Sequence, residues 1–396
     1  MSLIPLSTVQ CRLRPAAPLP WNILNGTGHV VWMRGHCPST AEFVSLGLAR
    51  ELYVEGSEVH SVATQACSSG SFFEQWVAWE LRLSVLLRAP IALDFVPNVS
   101  EIGNAVDALV LRDSDKVLFA VLRHDYSNFA AYGVAHSMHV AAICALLAQS
   151  FGWGPKRRHS LICAALTANF SVIELQGTLA ATGGRPTAAQ RAVLHTHPMD
   201  SARMLVEAGL ADADWLDAVR THHELPDGSG YPGQISSPSE MAQLVHLADT
   251  FTAKYAARYD RSALPATDVV RSLNKQDDPL AARLAQILGD YPPGGFVRLS
   301  TGEAAVVTRR GLLETQPQVA VIHDARRALS GPALRRGTVR ETFITHALDD
   351  TEVLVRLDAE QLYYAASQVA LESTPSAAGA VLTLIVKGSS PCLSAL

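Results

Sequence analysis

From Tyr126 to Gly289 apolar residues recur at helical spacing almost without a break, which limits the chain to folds built around a helical core. Tyr132 to Phe151 and His159 to Leu175 each read as one helix, and Gly183-Gly184-Arg185-Pro186 interrupts the run. Thr187 then caps the next helix, with Gln190 three residues on completing a capping-box pattern. Further helices fit Ser201 to Ala208, Ala213 to Thr221, Ser239 to Tyr259 and Ala266 to Leu273.

Either side of this run the character differs. Asn25-Gly26-Thr27-Gly28 is a hairpin-type turn leading to a strand over Val30 to Met33. Ser39 or Thr40 can cap a helix reaching about Leu52, a short strand follows at Tyr53-Val54, residues 57–70 read as Ser-rich loop, and Phe72 to Leu87 reads as helix. After Tyr291-Pro292-Pro293-Gly294-Gly295 the pattern turns to strands at Phe296 to Leu299, Ala304 to Val307, Val319 to Ile322, Thr351 to Leu357 and Val381 to Val386. The expected fold class is mainly α: an all-helical core over 123–290, a small N-terminal α+β module with a helical extension over 1–122, and a small β-rich C-terminal domain over 291–396.

With 48% apolar and 17% charged residues, there is ample material for a core. A net charge of -5 and the absence of a long Lys/Arg run argue against a nucleic-acid surface. No apolar run approaches the roughly 20 residues that span a bilayer, and Met1 to Ala16 lacks a signal-peptide block. The six cysteines are scattered without a C-x-x-C, and Cys144 and Cys163 sit in apolar pattern as core residues. A reduced, cytoplasmic setting is the expectation.

The chemistry concentrates in His222-His223-Glu224-Leu225-Pro226-Asp227-Gly228-Ser229-Gly230-Tyr231-Pro232. A lone helical histidine is more often a core or surface residue than a ligand, and His136 or His197 alone would carry no argument. Adjacent histidines at a helix end are stronger, because the end of a helix can aim both at one site. Asp249 lies in an apolar helical stretch, where an acid is costly unless paired or ligated. A helix-packing ion pair is its plainer explanation. Imidazole and carboxylate sets of this kind suit borderline divalent metals.

These residues resemble the HD-GYP family, bacterial relatives of the HD-superfamily phosphohydrolases, over roughly Tyr132 to Arg261. The His-His-Glu and Asp-Gly-Ser-Gly-Tyr-Pro strings are its most specific motif. The order also matches: His136 with the first ligand histidine, His197 before Pro198 with the later one, His222 and His223 with the adjacent pair, and Asp249 with the closing aspartate. The resemblance implies a five-helix-type core, two or three bound metals such as iron or manganese, and hydrolysis of cyclic di-GMP.

The departure lies at Leu166-Thr167-Ala168-Asn169-Phe170-Ser171, where the family reads Leu-His-Asp-Ile-Gly-Lys. Thr167 then stands for the histidine, Ala168 for the aspartate that bridges two metals, and Ser171 for the phosphate-supporting lysine. Tyr132 replaces a glutamate that some members use for a third metal. Without the bridging carboxylate, two nearby cations repel with little compensation. A two-metal centre is therefore not expected. A single Zn, Fe or Mn ion on His197, His222 and His223 is, or else an empty hydrogen-bonded cluster, with His136 and Asp249 bonded to each other across helices.

The binding face looks retained. Tyr231, Arg258 and Arg261 match ligand-contacting family positions, and the two arginines, three apart, can share one side of a helix. Guanidinium pairs suit a bis-phosphate. The turn of Asp227, Gly228, Gly230 and Pro232 is complete, and in the family this surface also docks diguanylate cyclase domains. Three readings result. One is a regulator or adaptor tied to cyclic di-GMP or a related nucleotide, with little or no hydrolysis. Another is a residual single-metal phosphodiesterase, and the last is a protein-interaction scaffold. A homodimer is compatible with each.

Overall fold

The computed structural model describes residues 3–9, 13, 18–39, 42, 46, 51–88, 94–125, 129–259, 264–311, 317–322, 334–337, 343–353 and 359–364. The N-terminal part opens with β1 (Leu3–Pro5) and α1 (Leu6–Val9), followed by β2 (Ile23–Asn25), β3 (Val30–Trp32) and β4 (Leu52–Glu55). These strands form an antiparallel sheet in the order β1-β4-β2-β3. The hairpin turn forms as expected: Asn25 Oδ1 accepts from the backbone N–H of Thr27 and of His29, both at 3.0 Å. The helix expected to reach Leu52 cannot do so, since Leu52 already pairs with Asn25 in the sheet.

Residues 57–70 are not loop. They lie within α2 (Gly56–Ser69), because Val59 and Ala63, four apart, pack into the sheet's core with Trp21 and Leu81. The serines that suggested a loop occupy the outer face, where Ser57, Ser61 and Ser68 are exposed. Then follow α3 (Phe72–Arg88), α4 (Phe95–Arg112) and α5 (Ser114–Leu122). The last two were not assigned from sequence.

The centre of the molecule is α6 (Tyr132–Ser150), buried at every residue from Tyr132 to Ala148. A helix apolar on all sides belongs inside a core. Around it lie α7 (Pro155–Thr167), α8 (Ile173–Thr182), α9 (Ala188–Glu207), α10 (Ala213–Thr221), α11 (Glu240–Tyr255), α12 (Ala266–Asn274) and α13 (Pro279–Leu288). Two stretches, Tyr132–Ser150 and Pro155–Thr182, are long and apolar enough to cross a membrane, contrary to expectation. However, 89% and 72% of their apolar windows are buried inside the protein.

Three helix boundaries differ from the sequence reading. The helix expected over His159 to Leu175 stops at Thr167. Phe170 stacks on Phe95 at 4.8 Å, and the Ser171 amide bonds Ser201 Oγ at 3.1 Å instead of continuing a helix. Ser201 to Ala208 is no separate helix, because α9 runs straight through Pro198. Finally, α11 ends at Tyr255, whose hydroxyl is tied to the Leu122 carbonyl, and Ala256 is extended at ψ 135. Arg258 therefore lies beyond the helix, and Arg261 is outside the described residues.

A second antiparallel sheet follows: β5 (Phe296–Leu299), β6 (Ala304–Arg309), β7 (Gln318–Ile322), β8 (Leu334–Gly337) and β9 (Ile344–Ala347), ordered β8-β7-β6-β5-β9. Strand alternation divides its residues between two faces. Phe296, Val306, Ala320 and Ile322 join the large core that extends from Phe72 to Tyr363, while Val297, Ala305, Val307 and Val319 form a separate cluster. Asp350–Glu352 is a 3-10 turn, not the start of a strand, and Val381 to Val386 lies outside the described residues. The chain closes its described part with α14 (Ala359–Tyr364). Cys144 and Cys163 are buried, and burial pushes both thiols up. Cys11 and Cys392 are outside the described residues.

Candidate metal centre

His197 sits in the middle of α9, immediately before Pro198. A proline inside a helix leaves the carbonyl four residues back without its backbone partner. That carbonyl belongs to Leu194, and His197 Nδ1 donates to it at 2.6 Å. The proline thus lies inside the helix. It frees the acceptor that fixes the histidine's tautomer.

His222 reaches the same result by another route. It caps α10, whose last turn has carbonyls without helical partners, and its Nδ1 donates to the Val219 carbonyl at 2.7 Å. In both rings Nε2 is then the bare nitrogen. These two nitrogens face each other at 3.2 Å.

His223 completes the group. Its ring centroid lies 4.1 Å from that of His222 and 5.0 Å from that of His197. One nitrogen from each of the three rings falls within 4.8 Å of the others. Burial, reinforced by the neighbouring rings, pulls the histidine pKa from 6.5 to about 4 at His197 and about 3 at His222 and His223. Neither His197 nor His222 therefore carries a proton between the facing nitrogens at neutral pH. Two lone pairs aimed at each other across a buried gap repel unless something positive lies between them. The donor set, with each Nδ1 anchored on a carbonyl, fits a divalent cation.

The other half differs. His136 on α6 donates through Nε2 to Asp249 Oδ1 on α11 at 2.9 Å, as expected. Asn169 Nδ2 donates to the same oxygen, also at 2.9 Å. Burial works against charge on Asp249, but His136 bonded to it, with His223 and His222 nearby, holds its carboxyl well below the usual carboxylate range. His136 Nδ1 meets Thr252 Oγ1 at 3.2 Å, and Tyr132 stacks nearly parallel on the His136 ring at 5.9 Å.

The positions at which the resemblance implies substitutions are held by packing. Thr167 Oγ1 donates to the Cys163 carbonyl at 2.8 Å and accepts from Trp215 Nε1 at 2.8 Å, so it faces α10. Ala168 is fully buried. Ser171 Oγ bonds the His197 carbonyl at 3.1 Å and Ser201 Oγ at 3.0 Å, joining the start of the next segment to α9.

Beside the histidines the turn is rigidly held. Glu224 is buried, and its two carboxylate oxygens accept from the Gly233 and Ile235 amides at 2.6 and 2.9 Å. Asp227 Oδ1 accepts from the Ser229 amide at 3.0 Å and hydroxyl at 2.6 Å, and Gly228 has φ 76. At Gly230 an added Cβ would come within 2.5 Å of the His223 carbonyl oxygen, so only glycine fits. Tyr231 stacks on His223 at 4.6 Å and on the exposed His195 at 5.1 Å. Pro232 follows in this turn. Arg258 Nη2 donates to the Tyr132 hydroxyl at 3.3 Å, with its guanidinium 5.6 Å from that ring's centre.

Residues 118–280 match the family description "HD domain". Over that span the chain is similar to HD domains. It is 27% identical over 265 residues to a cyclic di-GMP phosphodiesterase of Pseudomonas aeruginosa, a match covering 62% of this chain and 64% of that relative. Among solved structures it resembles an HDG"Y"P protein from Bdellovibrio bacteriovorus, with TM-score 0.55 and 15% identity. That match covers 72% of this chain and 99% of the other, and it bears on the fold alone.

Within this site, sequence reasoning missed Asn169, Glu224 and His246. His246 Nδ1 bonds the His222 carbonyl at 2.9 Å, and its ring lies 5.8 Å from that of His223. A buried acid next to a histidine pair was the available signal for Glu224. Asn169 and His246 gave none, because their roles depend on partners 80 and 24 residues away.

Proposed function

We propose that this HD-domain protein is a cyclic di-GMP-related regulator or adaptor. In this reading it holds one divalent cation on His197, His222 and His223 and has little or no phosphodiesterase activity. The observation that carries the proposal is the contrast within the site. Two anchored imidazoles face each other through bare nitrogens 3.2 Å apart, whereas Asp249 Oδ1 already accepts from both His136 and Asn169. The Pseudomonas aeruginosa relative, by its name, supports cyclic di-GMP as the nucleotide. Tyr231 offers a ring beside the histidines for stacking on a base, and Arg258 offers charge for a phosphate. The Asp227 to Pro232 turn is the surface proposed for a protein partner such as a diguanylate cyclase domain.

A second reading, a residual single-metal phosphodiesterase, draws on the same three histidines. A cation bound by three imidazoles leaves an open position and supplies Lewis-acid polarisation of a phosphoryl oxygen. The chain's own contribution would be to orient the ligand with Tyr231 and Arg258.

Calorimetric titration of cyclic di-GMP on protein of measured metal content, run beside a turnover assay with Fe²⁺, Mn²⁺ and Zn²⁺, separates the readings. The regulator reading expects binding without turnover. Turnover that disappears in His223→Ala would replace it with the enzyme reading. Absence of any nucleotide binding would leave only a protein scaffold.

A further inference from the structure

The sequence places the lost aspartate at Ala168, but the geometry singles out its neighbour. Thr167 is directed at Trp215 and the Cys163 carbonyl. Ala168 has only a methyl group. Asn169, 3% exposed, is the side chain at the end of α7 that reaches the site, and its amide nitrogen lies 2.9 Å from Asp249 Oδ1. His136 Nε2 lies at the same distance from that same oxygen. Two side chains from two other segments thus converge on one oxygen of Asp249, the only acid among the three.

We propose that Asn169 holds the centre to one cation: it is a neutral stand-in at a place where a carboxylate would make a second cation position with His136 and Asp249. This rests on the single-cation reading of the histidine cluster. The amide does two things a carboxylate cannot. Its N–H donates to Asp249, removing the need for an external positive charge, and its neutrality leaves the pocket one negative charge short of what a second divalent ion requires. An aspartate here would put two carboxylates within hydrogen-bonding distance. Like charges so placed must share a proton or recruit a cation. Added carboxylate donors favour Mn²⁺.

The test is Mn²⁺ stoichiometry, by equilibrium dialysis and elemental analysis, on wild type, Asn169→Asp and Asn169→Ala. Wild type and Asn169→Ala are expected to hold one equivalent per chain and Asn169→Asp two. The melting temperature of Asn169→Asp is also expected to rise more steeply with added Mn²⁺ than that of wild type. Two equivalents in wild type or in Asn169→Ala overturns the inference, and does so whether or not the aspartate variant folds. A folded Asn169→Asp that stays at one equivalent overturns it as well. If wild type holds none, the single-cation reading falls separately. The role of Asn169 then stands or falls on whether the aspartate variant gains one equivalent.

Discussion

The two halves of this site solve the same electrostatic problem in opposite ways. Around His197 and His222 the backbone takes one nitrogen of each ring, at Leu194 and Val219, and leaves the other bare and facing its counterpart at 3.2 Å. Around Asp249 the side chains satisfy one another, with His136 and Asn169 on one carboxylate oxygen. Facing bare nitrogens in a buried cluster call for a cation, whereas a carboxylate oxygen that already accepts two hydrogen bonds calls for one less. The comparison shows that neighbouring buried clusters in one fold can be treated differently. Hydrogen bonds can close one half while the other half keeps its geometry.

The sharpest way to break this comparison is to remove one histidine from each half. His222→Ala is expected to bring bound metal to background, read by elemental analysis. His136→Ala is expected to keep the metal but to lose about 3–5 kcal/mol of stability in chemical denaturation, since it leaves the Asp249 charge short of a partner. Pro198→Ala is subtler. It supplies an N–H that competes with His197 Nδ1 for the Leu194 carbonyl, and metal affinity should fall about 10–100-fold, as when an orienting partner of a ligand is lost, with the helix intact by circular dichroism. Glu224→Gln puts an N–H donor in place of one of the buried carboxylate oxygens that accept from the Gly233 and Ile235 amides and should cost about 1–3 kcal/mol, measured by urea denaturation.

A separate effect, spread over several pH units, is in pH. The three histidines bind protons in the unfolded chain near 6.5 but in the folded protein only near 3 to 4. In that window the unfolded state holds more protons, so metal-free protein loses stability as pH falls from 6.5, by up to ~1.4 kcal/mol per pH unit for each histidine. Asp249, whose carboxyl is held low, adds loss in the same direction below the usual carboxylate range. Urea midpoints measured across this range check the slope, and a flat profile would argue against the buried, neutral cluster.

Much of this was legible in the sequence, and the rest was hidden for physical reasons. The capping box at Thr187 and Gln190, the helical run and the set of His197, His222, His223, His136 and Asp249 depend on local spacing and motif order, and the structure gathers those side chains in one region. Helix ends were less legible where tertiary contacts set them. Phe170 leaves its helix to stack on Phe95, and Tyr255 ends α11 through a bond to Leu122. The loop expected at 57–70 failed because serines on an outer face hid a sparse apolar stripe at Val59 and Ala63. The part of Asn169 was not legible because it depends on the direction in which α7 ends, which decides that residue 169 and not residue 168 meets Asp249.

The most direct test of the account is metal content after reconstitution, measured side by side for wild type, His136→Ala and His222→Ala. The account predicts one equivalent per chain in wild type and in His136→Ala, and none in His222→Ala. Two equivalents in wild type, or equal loss in both variants, would contradict it.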